Sequence, residues 1–282
     1  MNKVNLFLIG VHKAGTSWLY YLLNAHPDVF FPDIKELYFF GDQGRPHERP
    51  PDRDAYHAYF PLEADYRYFG DATVMYYRSP QAAAEIQSYN PEAQVIAIVR
   101  DPIDRTLSDV RYHRQLGLLP EDVSLDAVIN EALHGNERPA FVRDSHYEQT
   151  LPVYAERFGD RFTVVRLEDG RDHPEALWNH LLGVLDLPPH PLPGGNDRPE
   201  NPTGSAAFRW VYRNTIRPLR RAAPGLYRWM LTSRVARIAK QGLLRMLGTA
   251  TSETLSSSTE QRLRAEFAST YTYLEERGLA KE

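Results

Sequence analysis

The chain has 282 residues, 42% of them hydrophobic and 25% charged, with a net charge of −4 and no cysteine. A chain of this length removes roughly 75% of its unfolded surface from water and needs no covalent staples. The lack of cysteine excludes disulfides, thiolate metal sites and a cysteine nucleophile, and it fits a reducing compartment; the acidic balance argues against general nucleic-acid binding.

Residues 4–9 form a short apolar run ending at Gly10, and residues 17–25 place apolar side chains at helical spacing until His26-Pro27 stops them. The opening "MNKVNLFLIGVHK" has no small-residue cleavage site after its apolar run, so it reads as a first strand and not as a signal peptide. Gly10 and Gly15 have the spacing of a phosphate-binding loop, and Ser17 stands where such loops carry a magnesium-binding hydroxyl. Thr16 fills the usual lysine position; the nearby lysine is Lys13, inside the loop. Only five of the 33 basic residues are lysines, which sets Lys13 and Lys35 apart. A helix start after a glycine turn offers unpaired N–H groups and a positive dipole end to an anion, and Lys13 adds a compact charge. The plainer alternative is a tight strand-to-helix turn with a solvated lysine.

Further along, "RPHERPPDRDAYHAYFP", 45–61, is too rich in proline and charge for an element interior and reads as a loop over the site. "VIAIV", 95–99, is a second buried-strand candidate. It runs into "RDPIDRTLSDVRYHRQLG", where Asp101 suits the N-cap, Pro102 the first helical position, and Ile103, Leu107 and Val110 make an apolar stripe. A third strand candidate, "RFTVVRLED" at 161–169, precedes helical periodicity through "HPEALWNHLLGVLDL". Strands nearly continuous in apolar residues and alternating with helices predict an α/β fold, a P-loop-like parallel β-sheet flanked by helices on both faces. Ligands of such sheets gather at the carboxyl ends of the strands, where Gly10–Ser17 and Arg100–Ser108 both fall.

A single domain over 1–282 is expected, with an α/β core over 1–187, an exposed linker over 188–204 and a basic helical C-terminal part over 205–282. From Phe208 to Met246 there are nine arginines plus Lys240 and no acidic residue, and Arg209, Arg213, Arg217 and Arg221 recur at steps of four. Three readings of this stripe stay open: a site for a polyanionic acceptor, a peripheral contact with an anionic membrane surface, and a plain solvated face. No apolar stretch approaches the roughly 20 residues that span a bilayer. A cytoplasmic protein with at most peripheral membrane contact is the expectation.

"KAGTSWL" after an apolar strand resembles the loop of sulfotransferases that use 3′-phosphoadenosine 5′-phosphosulfate (PAPS). Their pattern K-x-G-T-[ST]-W-L is matched by Lys13, Gly15, Thr16, Ser17, Trp18 and Leu19. A second signature, an arginine at the end of a later strand with a serine eight residues on, is matched by Arg100 and Ser108. The similarity is greatest to the glycan and heparan sulfate type, in which His-Pro ends the first helix and an acidic-rich loop continues into K-E-x-x-F-F. Here "AHPDVFFPDIKELYFF" puts Lys35 and Glu36 on that motif.

The resemblance implies a set of roles. Backbone N–H groups from Ala14 to Ser17 cradle the 5′-phosphate, assisted by the Thr16 and Ser17 hydroxyls, and Lys13 stabilises the departing oxygen. Arg100 and Ser108 hold the 3′-phosphate, joined by Arg111 one helical turn on. Trp18 is either a ring stacked on adenine or a core residue. Glu36 is the base on an acceptor hydroxyl, and Lys35, Asp71 and Tyr147 are candidates for contact with that acceptor. Adenosine 3′,5′-bisphosphate (PAP) is the product, and no metal is required because the leaving phosphate is already a stable anion. In place of the family's E-K-[ST]-P-x-Y this chain has "GDATVMYY", 70–77: Asp71 keeps the acid, and Ala72 replaces the lysine. The Lys-Thr-His of the cytosolic branch is absent, which favours Glu36 as base.

Two other function classes stay open on the residues. In a P-loop kinase or NTPase, Ser17 and Asp101 would hold magnesium, but Thr16 supplies no charge at the β/γ-phosphates. In a non-catalytic protein that only binds an anionic nucleotide, Glu36 would be dispensable.

Overall fold

The structure, a computed structural model, describes residues 2–42, 49–120, 122–193 and 253–279. They group into two compact units: the described residues up to Arg105, from Arg143 to 193 and from Glu266 form the first, and Thr106–Val142 with the described residues up to Ala265 form the second.

The first unit is built on β1 (Leu6–Gly10), β2 (Val29–Phe30), β3 (Tyr68–Ala72), β4 (Gln94–Val99) and β5 (Phe162–Arg166). All neighbours pair in parallel, in the order β2-β3-β1-β4-β5. Side-chain alternation splits the central strands between two cores. Phe7, Ile9, Val95, Ala97 and Val99 enter one cluster, and Leu6, Leu8, Ile96 and Ile98 enter the other. Helices cover both faces. α1 (Thr16–Leu23) and α9 (Pro174–Val184) bury Leu19, Leu23, Trp178 and Leu181 in the second cluster. α3 (Pro80–Tyr89), α7 (Leu151–Phe158) and the C-terminal α11 (Ala268–Glu275) bury Ile86, Tyr154 and Leu274 in the first. The expected α/β sheet with helices on both faces is therefore present, and the connections leave β1 and β4 in opposite directions, as at a topological switch point.

α4 (Pro102–Gln115) begins in the first unit and continues in the second. Its start is capped as the sequence predicts: Asp101 Oδ1 accepts the N–H groups of Ile103 and Asp104, both at 3.0 Å. Ile103, Leu107 and Val110 are buried. The second unit also holds α5 (Leu125–His134) and most of α10 (Ser257–Glu266). They are joined by Ser256 Oγ donating to Asp126 at 2.5 Å and Arg262 donating to Asn130 at 2.5 Å. Among the described residues no helix is long and apolar enough to cross a bilayer.

One expectation needs correction. The stretch 45–61 is not wholly irregular, because Asp52 caps a short helix, α2 (Arg53–His57), by accepting the Ala55 N–H at 2.8 Å. The strands β2 and β3 escaped the sequence reading altogether. The basic segment 208–246 and most of the expected linker lie outside the described residues.

Candidate active site

The loop after β1 winds through positive φ three times, at Gly10 (147°), Lys13 (69°) and Gly15 (97°). Gly15 is the N-cap of α1, and a Cβ there would come within 2.6 Å of Leu167 Cδ1, so the position requires glycine on both counts. Lys13 holds a left-handed conformation without that freedom, a local cost of the kind that collects at functional sites. The helical ladder starts with Leu19 N–H to Gly15 C=O at 3.1 Å, leaving the amides of Thr16, Ser17 and Trp18 without an intrahelical acceptor. Ala14, also expected in the cradle, lies just before the helix start. It is fully buried, and its N–H donates to the Val11 carbonyl at 3.1 Å, inside the turn.

Arg105, which the sequence reading passed over, braces this loop. It is completely buried, donates through Nη1 to the His12 carbonyl at 3.2 Å and through Nε to Ser145 Oγ at 2.5 Å. A second arginine five residues after Arg100 was the available signal, and only tertiary contacts give it meaning.

Lys35 and Glu36 come to the same loop from the segment after β2. The Lys35 ammonium donates to Ser17 Oγ at 3.1 Å and lies 5.4 Å from the centre of the Tyr20 ring. Burial pulls its pKa down, and the neighbouring Glu36 partly offsets this. Glu36 also adopts positive φ, 64°, and its Oε2 accepts the Val74 N–H at 3.1 Å. Burial raises its carboxyl to about 7; Lys35 and the Val74 amide pull the other way, and Asp71 adds to the rise. A carboxyl titrating near neutrality can take a proton at physiological pH.

Asp71 and Tyr147 do not line a surface where an acceptor would touch them; both are 0% exposed. Asp71 accepts hydroxyl protons from Thr73, Tyr76 and Tyr56. Tyr147 donates to the carbonyl of Arg100 at 2.8 Å, fixing the end of β4. The polar atoms of both side chains are engaged inside the protein.

Arg100 follows β4 with a side chain 15% exposed, and Nη2 donates to Asp104 at 3.2 Å. Its Nε is buried without a hydrogen-bonding partner. An orphaned guanidinium N–H and the three helix-start amides without an intrahelical acceptor fit a phosphorylated group. Trp18 is partly exposed and packs on Gly170, where a Cβ would meet its ring at 2.3 Å. Ser108 and Arg111 belong to the second unit. Ser108 is partly buried on α4, and Arg111 donates to the Glu253 carbonyl at 3.0 Å.

Comparison with known proteins bears on this arrangement. A membrane-associated sulfotransferase, kil1, from Dictyostelium discoideum is 29% identical over 149 residues, covering 48% of this chain and 30% of that protein. Human heparan sulfate glucosamine 3-O-sulfotransferase 3B1 is 29% identical over 116 residues, covering 40% of this chain and 27% of that protein. The chain thus matches under a third of the length of either relative. A crystal structure of a sulfotransferase from Alicyclobacillus acidocaldarius shares the fold with a TM-score of 0.66 at 20% identity, covering 100% of this chain and 98% of that one. Residues 3–190 match the sulfotransferase domain itself, and with two thirds of its length inside that match the chain belongs to the sulfotransferase family.

Proposed function

We propose that this protein moves a sulfuryl group from PAPS to a hydroxyl of a glycan, lipid or small-molecule acceptor, with Glu36 as general base and Lys13 as the charge at the leaving oxygen. One observation carries the reading: the Lys35 ammonium ties the base-bearing segment to Ser17 of the phosphate loop at 3.1 Å, next to a carboxyl raised to about 7.

Bound PAPS supplies a sulfuryl group carried on a phosphate that leaves as a stable anion. The amides of Thr16 and Ser17 and their hydroxyls bind the 5′-phosphate at the positive end of α1. Lys13, held within the turn, supplies the cation that developing charge requires, in a loose transition state stabilised mainly by alignment and electrostatics. Arg100 offers its unpartnered Nε to the 3′-phosphate; Ser108 is assigned to the same group from the family pattern, and Arg111 from its place one helical turn on. Glu36, ionised above about 7, takes the proton of the acceptor hydroxyl.

Calorimetry with PAP against ADP plus magnesium tests the donor. PAP is expected to bind more tightly, and tighter binding of ADP would replace this reading with a P-loop kinase. A screen of hydroxyl acceptors with labelled donor tests the reaction. In it, Lys13→Ala and Glu36→Gln should each lose about a hundredfold or more in turnover; retained turnover in either removes that residue's role. Peripheral membrane contact through 208–246 is part of the proposal and is tested by sedimentation with vesicles that contain or lack anionic lipid.

A further inference from the structure

The segment that carries Glu36 belongs to no helix or strand, yet a run of its amides is engaged by one partner segment. Glu36 N–H donates to the Ala72 carbonyl at 3.0 Å. Leu37 and Tyr38 donate to Thr73 Oγ1 at 3.0 and 3.4 Å, and Phe39 and Phe40 donate to the Tyr76 hydroxyl oxygen at 3.0 and 3.3 Å. Two hydroxyl oxygens thus receive four backbone N–H groups. Each can do so only while its own proton points away.

Both protons go to one carboxylate. Thr73 donates to Asp71 Oδ1 at 2.7 Å, Tyr76 donates to Oδ2 at 2.9 Å, and Tyr56 donates to Oδ2 at 3.0 Å. Asp71, Thr73 and Tyr56 are 0% exposed and Tyr76 is 1% exposed. Burying a carboxylate among hydroxyls costs free energy that an apolar residue would not cost. Burial raises the Asp71 carboxyl to about 6, against the pull of its three hydroxyl donors.

We propose that Asp71 is a positioning residue for the base: its carboxylate fixes the Thr73 and Tyr76 hydroxyls as acceptors, and these hold residues 36–40 in the backbone that presents Glu36. Positive φ at both Glu36 (64°) and Tyr38 (54°) shows what the lock must maintain, since neither side chain favours that region. The inference rests on Glu36 as base and deepens that reading. It also explains why the acid survives at position 71 while the following residue is alanine: the acid acts inward.

The substitution Asp71→Asn keeps the shape and replaces one acceptor oxygen with an N–H₂ group. That group faces either Thr73 or the tyrosines, and the hydroxyl it meets must turn a lone pair toward it and release backbone amides. Amide hydrogen exchange should accelerate at residues 37–40 and stay native in β1 and β4. Turnover should fall about ten- to a hundredfold, as for a reacting group displaced by a fraction of an ångström to an ångström, with PAP affinity unchanged.

The pH profile supplies a second readout, of the carboxylate charge at Asp71 itself. The groups facing Glu36 are Lys35, the Val74 amide and Tyr38, which favour its charge, and Asp71, which opposes it. Removing the Asp71 charge removes an opposing influence, so the acid limb of kcat/KM should move to lower pH. Native exchange at 37–40 would overturn the proposal. If Asp71→Asn fails to fold, Tyr76→Phe removes the acceptor of Phe39 and Phe40 alone; faster exchange at those two amides with reduced turnover is expected, and native values of both would overturn the proposal. Glu36→Gln separates the two ideas. Native turnover in that variant defeats the base assignment, whereas the exchange data judge the hydroxyl lock independently.

Discussion

Glu36 is kept in a place where its charge is expensive. With an ordinary carboxyl value of 4.5 in the unfolded chain and about 7 in the folded one, the folded state holds a proton that the unfolded state has lost across that window. Folding stability therefore falls as pH rises from about 4.5 to about 7, and the cost is fully present above that range. Glutamine carries no such cost. Glu36→Gln should be more stable than the native protein at pH 8 by on the order of 1–3 kcal/mol, and the gain should vanish near pH 4. Urea midpoints at the two pH values measure it; an equal difference at both would show that the carboxyl is not desolvated. A gain in stability with a loss of turnover is the signature of a group retained for its chemistry. Activity makes the complementary prediction: kcat/KM should rise with pH through about 7, and a limb below pH 5 would mean that a different group is the base. At this scale Lys13, Lys35 and Glu36 stand out in the sequence through the motifs by which the chain resembles its family. The inward role of Asp71 and the brace from Arg105 do not. Arg105 meets His12 93 residues away, and the hydroxyls of Thr73 and Tyr76 that donate to Asp71 meet the amides of Leu37–Phe40 35 to 37 residues away, so nothing in local spacing announces either role.

The strands and helices that hold these residues were read with uneven success, and the reasons are physical. β1 and β4 are uninterrupted apolar runs buried on both faces, so composition alone exposes them. β3, "YFGDA", contains a glycine and an acid, both disfavoured in strands. Its glycine is required because a Cβ would strike the Phe31 ring at 2.2 Å, and its acid is the buried hub of a hydroxyl network. Tertiary demands overrode propensity there. The turn from β1 into α1 is the element whose failure should be most visible. Gly15→Ala asks a Cβ to occupy φ of 97° and to lie within 2.6 Å of Leu167 Cδ1. A loss of about 1–3 kcal/mol is expected from the backbone alone. Because the strain falls on the first turn of α1, PAP affinity should drop by about tenfold or more as its amides lose alignment. Calorimetric binding and a urea titration on the same preparation measure the two effects; full affinity at normal stability would show that the loop tolerates a side chain at this position.

At the scale of the whole molecule, the chain's last described helix completes the unit that its first strand begins. α11 buries Tyr273 and Leu274 in the same apolar cluster as Phe7 and Ile9. Its polar side fastens to loops of that unit: Tyr271 donates to Asp101 Oδ2 at 3.0 Å, and Ser269 and Thr270 donate to Glu148 at 2.9 and 2.7 Å. Asp101 is the cap of α4 and the neighbour of Arg100, so the C-terminal helix bears on the strand end assigned to the 3′-phosphate. Sequence periodicity suggested helices after 205 but gave no sign that one of them belongs with the N-terminal sheet, since that pairing spans more than 250 residues. Leu274→Ala should therefore cost about 2–5 kcal/mol, the range for a buried leucine truncated in a packed core, and Tyr271→Phe about 1 kcal/mol for a lost hydrogen bond. Hydrogen exchange shows where the loss is felt. If α11 is part of one cooperative unit with the sheet, Leu274→Ala should speed exchange of β1 and β4 amides by the same free energy that it removes from global stability. Faster exchange confined to α11, with the sheet amides as protected as before, would show instead that the helix is an appendage whose unfolding the phosphate loop never feels.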